Sequence, residues 1–132
     1  RMSLTITLGV DDLARTEIFY RDLLRLVPER CQPVPTHPPF LLLRQGESVV
    51  LFRQTEVLES RHPAVFQDLN RSPRGVGVTL EFQLSGLAAL RRRLERDCWP
   101  LVYELQDDES GWQELWLRDP DGYLLVLSEG PA

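Results

Sequence analysis

Histidine and cysteine are scarce in this chain of 132 residues, which holds two of each. Two thiols, Cys31 and Cys98, exclude a scaffold built on disulfides and read as reduced cysteines, with a single bridge as the alternative. The two histidines, His37 and His62, fall beside prolines in predicted loops and do not make a histidine metal cluster. Long apolar runs are missing too: segments such as Leu41 to Leu43 fall far short of the ~20 residues a membrane span needs. No apolar stretch follows Arg1-Met2-Ser3 as a signal peptide would require, so a cytoplasmic protein is expected. Basic charge is in deficit, with 15 Lys and Arg against 20 Asp and Glu and a net charge of −5. That balance disfavours a nucleic-acid partner. The run Arg91-Arg92-Arg93 lies beside Glu95 and Asp97 in a helical pattern and reads as a solvated helix face. No nucleophile elbow, phosphate loop or Cys-His pairing occurs.

What is present is the composition of a globular domain: 42% hydrophobic and 27% charged residues. Leu4 to Val10 alternate in polarity as a half-buried strand does. Asp11 or Asp12 then caps a predicted helix over Leu13 to Leu26, whose stripe is Leu13, Ile18, Phe19, Leu23 and Leu26, and which ends at Pro28. Residues 33–39 are too proline-rich for regular structure. Phe40 to Arg44 and Ser48 to Gln54 read as a hairpin around Gly46. A connector over 55–75 carries one short helix expected to start at Pro63. The order then repeats. Val78 to Leu84 alternate as a strand, Ser85 is the expected cap of a helix with stripe Leu87, Leu90 and Leu94, and Trp99 to Leu105 read as a strand. Gln113 to Arg118 and Tyr123 to Ser128 follow, joined by the turn Asp119-Pro120-Asp121-Gly122. The expected architecture is α+β: one domain over 1–132, made of two βαβββ modules at 3–54 and 76–129 with the connector 55–75 between them.

Three strings carry a family resemblance. They are Ile6 to Leu13 followed by Phe19-Tyr20-Arg21-Asp22-Leu23-Leu24, then Gly77 to Leu84, then Leu117 to Tyr123 with its Asp-Pro-Asp-Gly turn. In this order they resemble the vicinal-oxygen-chelate proteins, the glyoxalase and bleomycin-resistance group, over nearly the whole chain. Arg25 stands where that family usually has glycine. The resemblance implies curled mixed sheets around a cavity, and a homodimer in which the connector permits exchange of modules between chains. It also implies a metal held from one inward position on each of four strands. Those positions fall at Thr5, Val50, Thr79 and Val126, where hydroxyls and aliphatic carbons replace imidazole and carboxylate. The expectation is therefore no metal and no cofactor.

With Ile6, Leu8, Val10, Leu80, Phe82, Leu84, Leu115, Leu117, Leu125 and Leu127 taken as the helix side, the residues expected to line the cavity are Thr5, Thr7, Phe40, Val50, Phe52, Gln54, Thr79, Glu81, Glu114, Trp116 and Val126. Trp116, Phe52 and Phe40 offer aromatic walls, and Glu81 and Glu114 offer anionic partners for a cationic group. If both carboxylates enter the cavity, a raised pKa would make one a general base. Trp112 reads as a rim or interface residue. The function expected is that of a metal-free binder without catalytic residues, sequestering an aromatic or cationic metabolite or drug. The alternative is a metal-dependent lyase, isomerase or dioxygenase related to glyoxalase I.

Overall fold

The computed structural model describes residues 3–131. Contacts divide the chain between Ser72 and Pro73 into two compact units. The first holds β1 (Thr5–Val10), α1 (Leu13–Ile18), β2 (Pro28–Cys31), β3 (Phe40–Gln45), β4 (Ser48–Gln54) and α2 (Thr55–Arg61). The second holds β5 (Thr79–Gln83), α3 (Leu87–Arg96), β6 (Tyr103–Asp107), β7 (Trp112–Arg118) and β8 (Leu124–Glu129). Each unit builds one four-stranded mixed sheet of the same topology, β1-β4-β3-β2 and β5-β8-β7-β6. In each, the first strand runs parallel to the last and the other pairs are antiparallel. The βαβββ repeat expected from the sequence is thus present twice, as an α+β fold.

The first helix starts where Asp12 says it should: its carboxylate accepts the N–H groups of Ala14 and Arg15 at 3.0 and 3.2 Å. It does not continue to Leu26 as an α-helix. After Ile18 the chain widens into a π-helical turn over Phe19–Leu23 and closes with Leu26 N–H donating to Tyr20 O at 2.9 Å. The wider turn rotates the expected stripe. Ile18 is 53% exposed, while Phe19, Tyr20, Leu23 and Leu24 are buried.

Three further expectations shift, each for a local reason. Pro28–Cys31 is an edge strand paired to β3, although its sequence Pro-Glu-Arg-Cys has no apolar alternation to announce it. The connector helix begins at Thr55 directly after β4, with the Thr55 hydroxyl donating to Asp11 Oδ1 at 3.4 Å. Pro63 follows its C-cap His62, a place where proline stops a helix rather than starting one. The strand expected over Trp99 to Leu105 lies at Tyr103–Asp107. Trp99 is occupied elsewhere: its N–H donates to Leu94 O at 2.8 Å and its indole N–H to Arg118 O at 2.9 Å.

Helix α3 is not capped by Ser85. Its N-cap is Gly86, at φ +80°, and the two oxygens of Glu129 accept the N–H groups of Gly86 and Leu87 at 3.0 Å each. Its buried face is Leu87, Leu90 and Leu94, set against Leu115, Leu117, Leu125 and Leu127 on the sheet's helix side. Burial of each such leucine contributes roughly 1.5–3 kcal/mol. Among the described residues, no helix is long and apolar enough to cross a membrane.

Candidate functional site

Paired strand positions point to the same side of a sheet, so the register assigns every residue to a face. In the second unit Glu81 pairs with Val126 and Val126 with Trp116, which in turn pairs with Tyr103. Ser128 pairs with Gln83 and with Glu114, and Thr79 with Leu124. These residues share the face away from α3, the parity expected for Thr79, Glu81, Glu114, Trp116 and Val126.

In the first unit the expected parity fails on β4. Val50 pairs with Ile6, Phe52 with Leu8 and Gln54 with Val10, so Val50, Phe52 and Gln54 lie on the helix side. Phe52 is fully buried against Tyr20, ring centroids 4.9 Å apart. The face shared with Thr5 and Thr7 carries Val49 and Leu51 from β4. Arg53 and Phe40 belong to the same face, the Arg53 guanidinium lying 4.6 Å from the Phe40 ring centre. Ser48 to Gln54 is apolar on both parities, Val49 and Leu51 on one and Val50 and Phe52 on the other. Such a strand gives no alternation from which to choose a side.

The most organised polar group lies on β7. Glu114 Oε2 accepts the indole N–H of Trp112 and Oε1 accepts that of Trp116, both at 2.8 Å. Trp112, Glu114 and Trp116 alternate along one strand, so all three side chains share one face. The two indole N–H groups stabilise the carboxylate and hold the pKa of Glu114 below its ordinary value, Trp112 acting most strongly. This is opposite to the raised pKa considered for a general base. Tyr103 meets Trp116 edge-on at 5.9 Å, and the Ser128 hydroxyl donates to Glu81 Oε2 at 2.9 Å. Trp112, read from sequence as a rim residue, is one of the two arms that fix Glu114. The period-two series Trp112, Glu114, Trp116 is the available signal.

At the end of this face where Thr79, Leu124 and Arg118 meet, a hollow of about 610 Å³ opens, walled also by Gly75, Val76 and Gly77. Its size suits a small organic molecule.

No family model matches the sequence, and no curated protein matches it. Solved structures do. A lactoylglutathione lyase from Agrobacterium tumefaciens is 22% identical with a TM-score of 0.60, covering 97% of this chain and 92% of its own. A glyoxalase-related enzyme from Fulvimarina pelagi is 18% identical with a TM-score of 0.67 over 98% and 88%. A hypothetical protein from S. aureus is 16% identical with a TM-score of 0.72 over 98% and 94%. The chain has the vicinal-oxygen-chelate fold.

That fold is associated with a bound metal, and the residues here do not fit one. Thr5, Thr79 and Val126 stand at three of the four strand positions, and the β4 register replaces Val50 by Leu51 at the fourth. Leu51 pairs with Thr7 as Val126 pairs with Glu81, and it is as incapable of ligation as valine. Among the described residues no three His, Cys, Asp or Glu side chains converge into a metal-holding group.

Proposed function

We propose that this vicinal-oxygen-chelate-fold protein is a metal-free binder of a small aromatic or cationic molecule, held on the sheet face that carries Glu114. The carrying observation is the carboxylate of Glu114 fixed between two indoles and kept ionised. A fixed anion flanked by aromatic rings attracts a cation through charge and through the ring faces together. Its lowered pKa makes it a weak base, which favours binding over proton abstraction. Thr79, Glu81, Trp116 and Val126, on the same face of the second unit, are proposed to line the site with it, while Thr5, Thr7 and Phe40 lie on the open face of the first unit. Val50, Phe52 and Gln54 leave the proposed set, since they lie on the helix side. The proposal extends to a cytoplasmic homodimer, which sedimentation equilibrium tests.

The alternative, a lyase, isomerase or dioxygenase, draws on the names of two fold neighbours, a lactoylglutathione lyase and a glyoxalase-related enzyme. The aliphatic and hydroxyl side chains at the four strand positions weigh against its metal-dependent form. A thermal-shift screen of cationic, neutral and anionic aromatic compounds, followed by mass spectrometry of each stabilising compound, tests the choice. Binding predicts raised Tm for cationic aromatics recovered unchanged. Conversion of the bound compound overturns the binder reading.

A further inference from the structure

All fifteen basic residues of the chain are arginines, since it contains no lysine. Most of the arginines given an ion pair meet it at the surface, as Arg21 and Arg30 do with Glu17, or Arg44 with Glu29. Arg53 is different. It is half-buried on the open face of the first sheet, and its guanidinium lies over the Phe40 ring at 4.6 Å. Among the described residues no carboxylate lies within ion-pair reach of it. Stacking on an aromatic face fixes the guanidinium plane while leaving its edge, a fork of parallel donors, available.

The neighbours of Arg53 on this face are small or apolar. The neighbouring position on β1 is Gly9, which places no side chain beside Arg53. Leu51 and Leu42, paired with each other on the same face, are half-buried and give an apolar floor next to it. Cys31, paired with Phe40, borders the ring on the other side. A pre-oriented cation, an aromatic ring and an apolar floor are the parts needed to seat a small organic acid.

We infer that Arg53, stacked on Phe40, is an oxyanion seat on the open face of the first unit, taking the carboxylate or phosphate of a small aromatic acid in a two-bonded fork. Arg53 belongs to the first unit and Glu114 to the second, and the two carry opposite charge, so each is tested by its own variant.

The test is titration of the full chain with benzoate and with phenyl phosphate, followed by calorimetry and by the arginine Nε–H resonances. Saturable binding by either is expected, with the Arg53 Nε–H signal shifting, and the tighter of the two identifies the anion class. Affinity should fall tenfold or more in Arg53→Gln. In Arg53→Lys it should fall severalfold, because an ammonium has charge but no planar fork. Arg21→Gln, at an arginine ion-paired at the surface outside both sites, should bind both anions as the wild type does. The inference is overturned if neither anion saturates, if Arg53→Gln binds as the wild type does, or if the shifting resonance belongs to another arginine. A thermal melt of Arg53→Gln at the wild-type Tm establishes that any loss is not unfolding.

Discussion

Glu129 Oε1 accepts the backbone N–H of Leu87 at 3.0 Å, so a residue of the last strand caps a helix that starts 42 positions earlier in the chain. Its other oxygen accepts the N–H of Gly86. The exposed first N–H groups of a helix carry partial positive charge, and a carboxylate placed on them satisfies both the hydrogen bonds and the dipole. Glu129→Ala is expected to destabilise the protein by about 1 kcal/mol, the typical value of a lost cap. Ser85→Ala, at the residue a local reading selects, should change stability by less than about 0.5 kcal/mol. Urea unfolding of the two variants checks both.

Arg25 has φ +61° at the end of the first helical segment. That left-handed conformation costs a side chain with a Cβ about 1 kcal/mol or more, and glycine adopts it freely. Leu26 N–H reaches back to Tyr20 O across this residue, as at a glycine-terminated helix. Arg25→Gly is therefore expected to raise stability by about 1 kcal/mol, a gain visible as a higher urea midpoint with an unchanged slope.

Phe52 separates the two possible registers of β4. On the helix side, fully buried against Tyr20, its truncation to alanine should cost about 3–5 kcal/mol and leave the surviving folded protein's ligand affinity intact. On the open face the same change would weaken binding with little loss of stability. Equilibrium unfolding and ligand titration of Phe52→Ala, with Phe52→Leu as the milder variant, decide between these.

How much of this was legible in the sequence follows from where polarity alternates. β1 and β5 alternate in polarity, and in β7 the leucines at 115 and 117 share one parity opposite Glu114, so these strands declare their faces locally, as do the Asp12 cap and the Leu87, Leu90 and Leu94 stripe. β4 is apolar on both sides and carries no parity signal, which is why Arg53 and Leu51 were missed as open-face residues. Glu129 as a cap depends on a partner 42 positions away that sheet pairing brings to it, whereas Glu114 accepts from two residues of its own strand. Only the second left a local trace, in the Trp-x-Glu-x-Trp spacing. The π turn after Ile18 widens a helix whose sequence period looks continuous, and nothing local distinguishes the two.

Glu114 also sets a pH dependence. Its pKa in the folded protein is lowered, so its contribution to stability is complete above the unfolded value, about 4.3, and is lost as pH falls through the lower folded value. The stability difference between wild type and Glu114→Gln, about 1 kcal/mol for a half-exposed charged hydrogen-bond pair, should be constant above about pH 5 and shrink below about pH 4. Chemical denaturation at a series of pH values measures it.

The most direct measurement is a titration of metal-stripped protein with benzyltrimethylammonium, read through tryptophan fluorescence. Trp112 and Trp116 both bond to Glu114, so occupancy beside the carboxylate must alter their emission. A saturable change in the absence of any divalent ion, weakened about tenfold in Glu114→Gln, is the predicted result. A response that appears only after zinc, iron, manganese or nickel is restored, or one that is equal in Glu114→Gln, contradicts it.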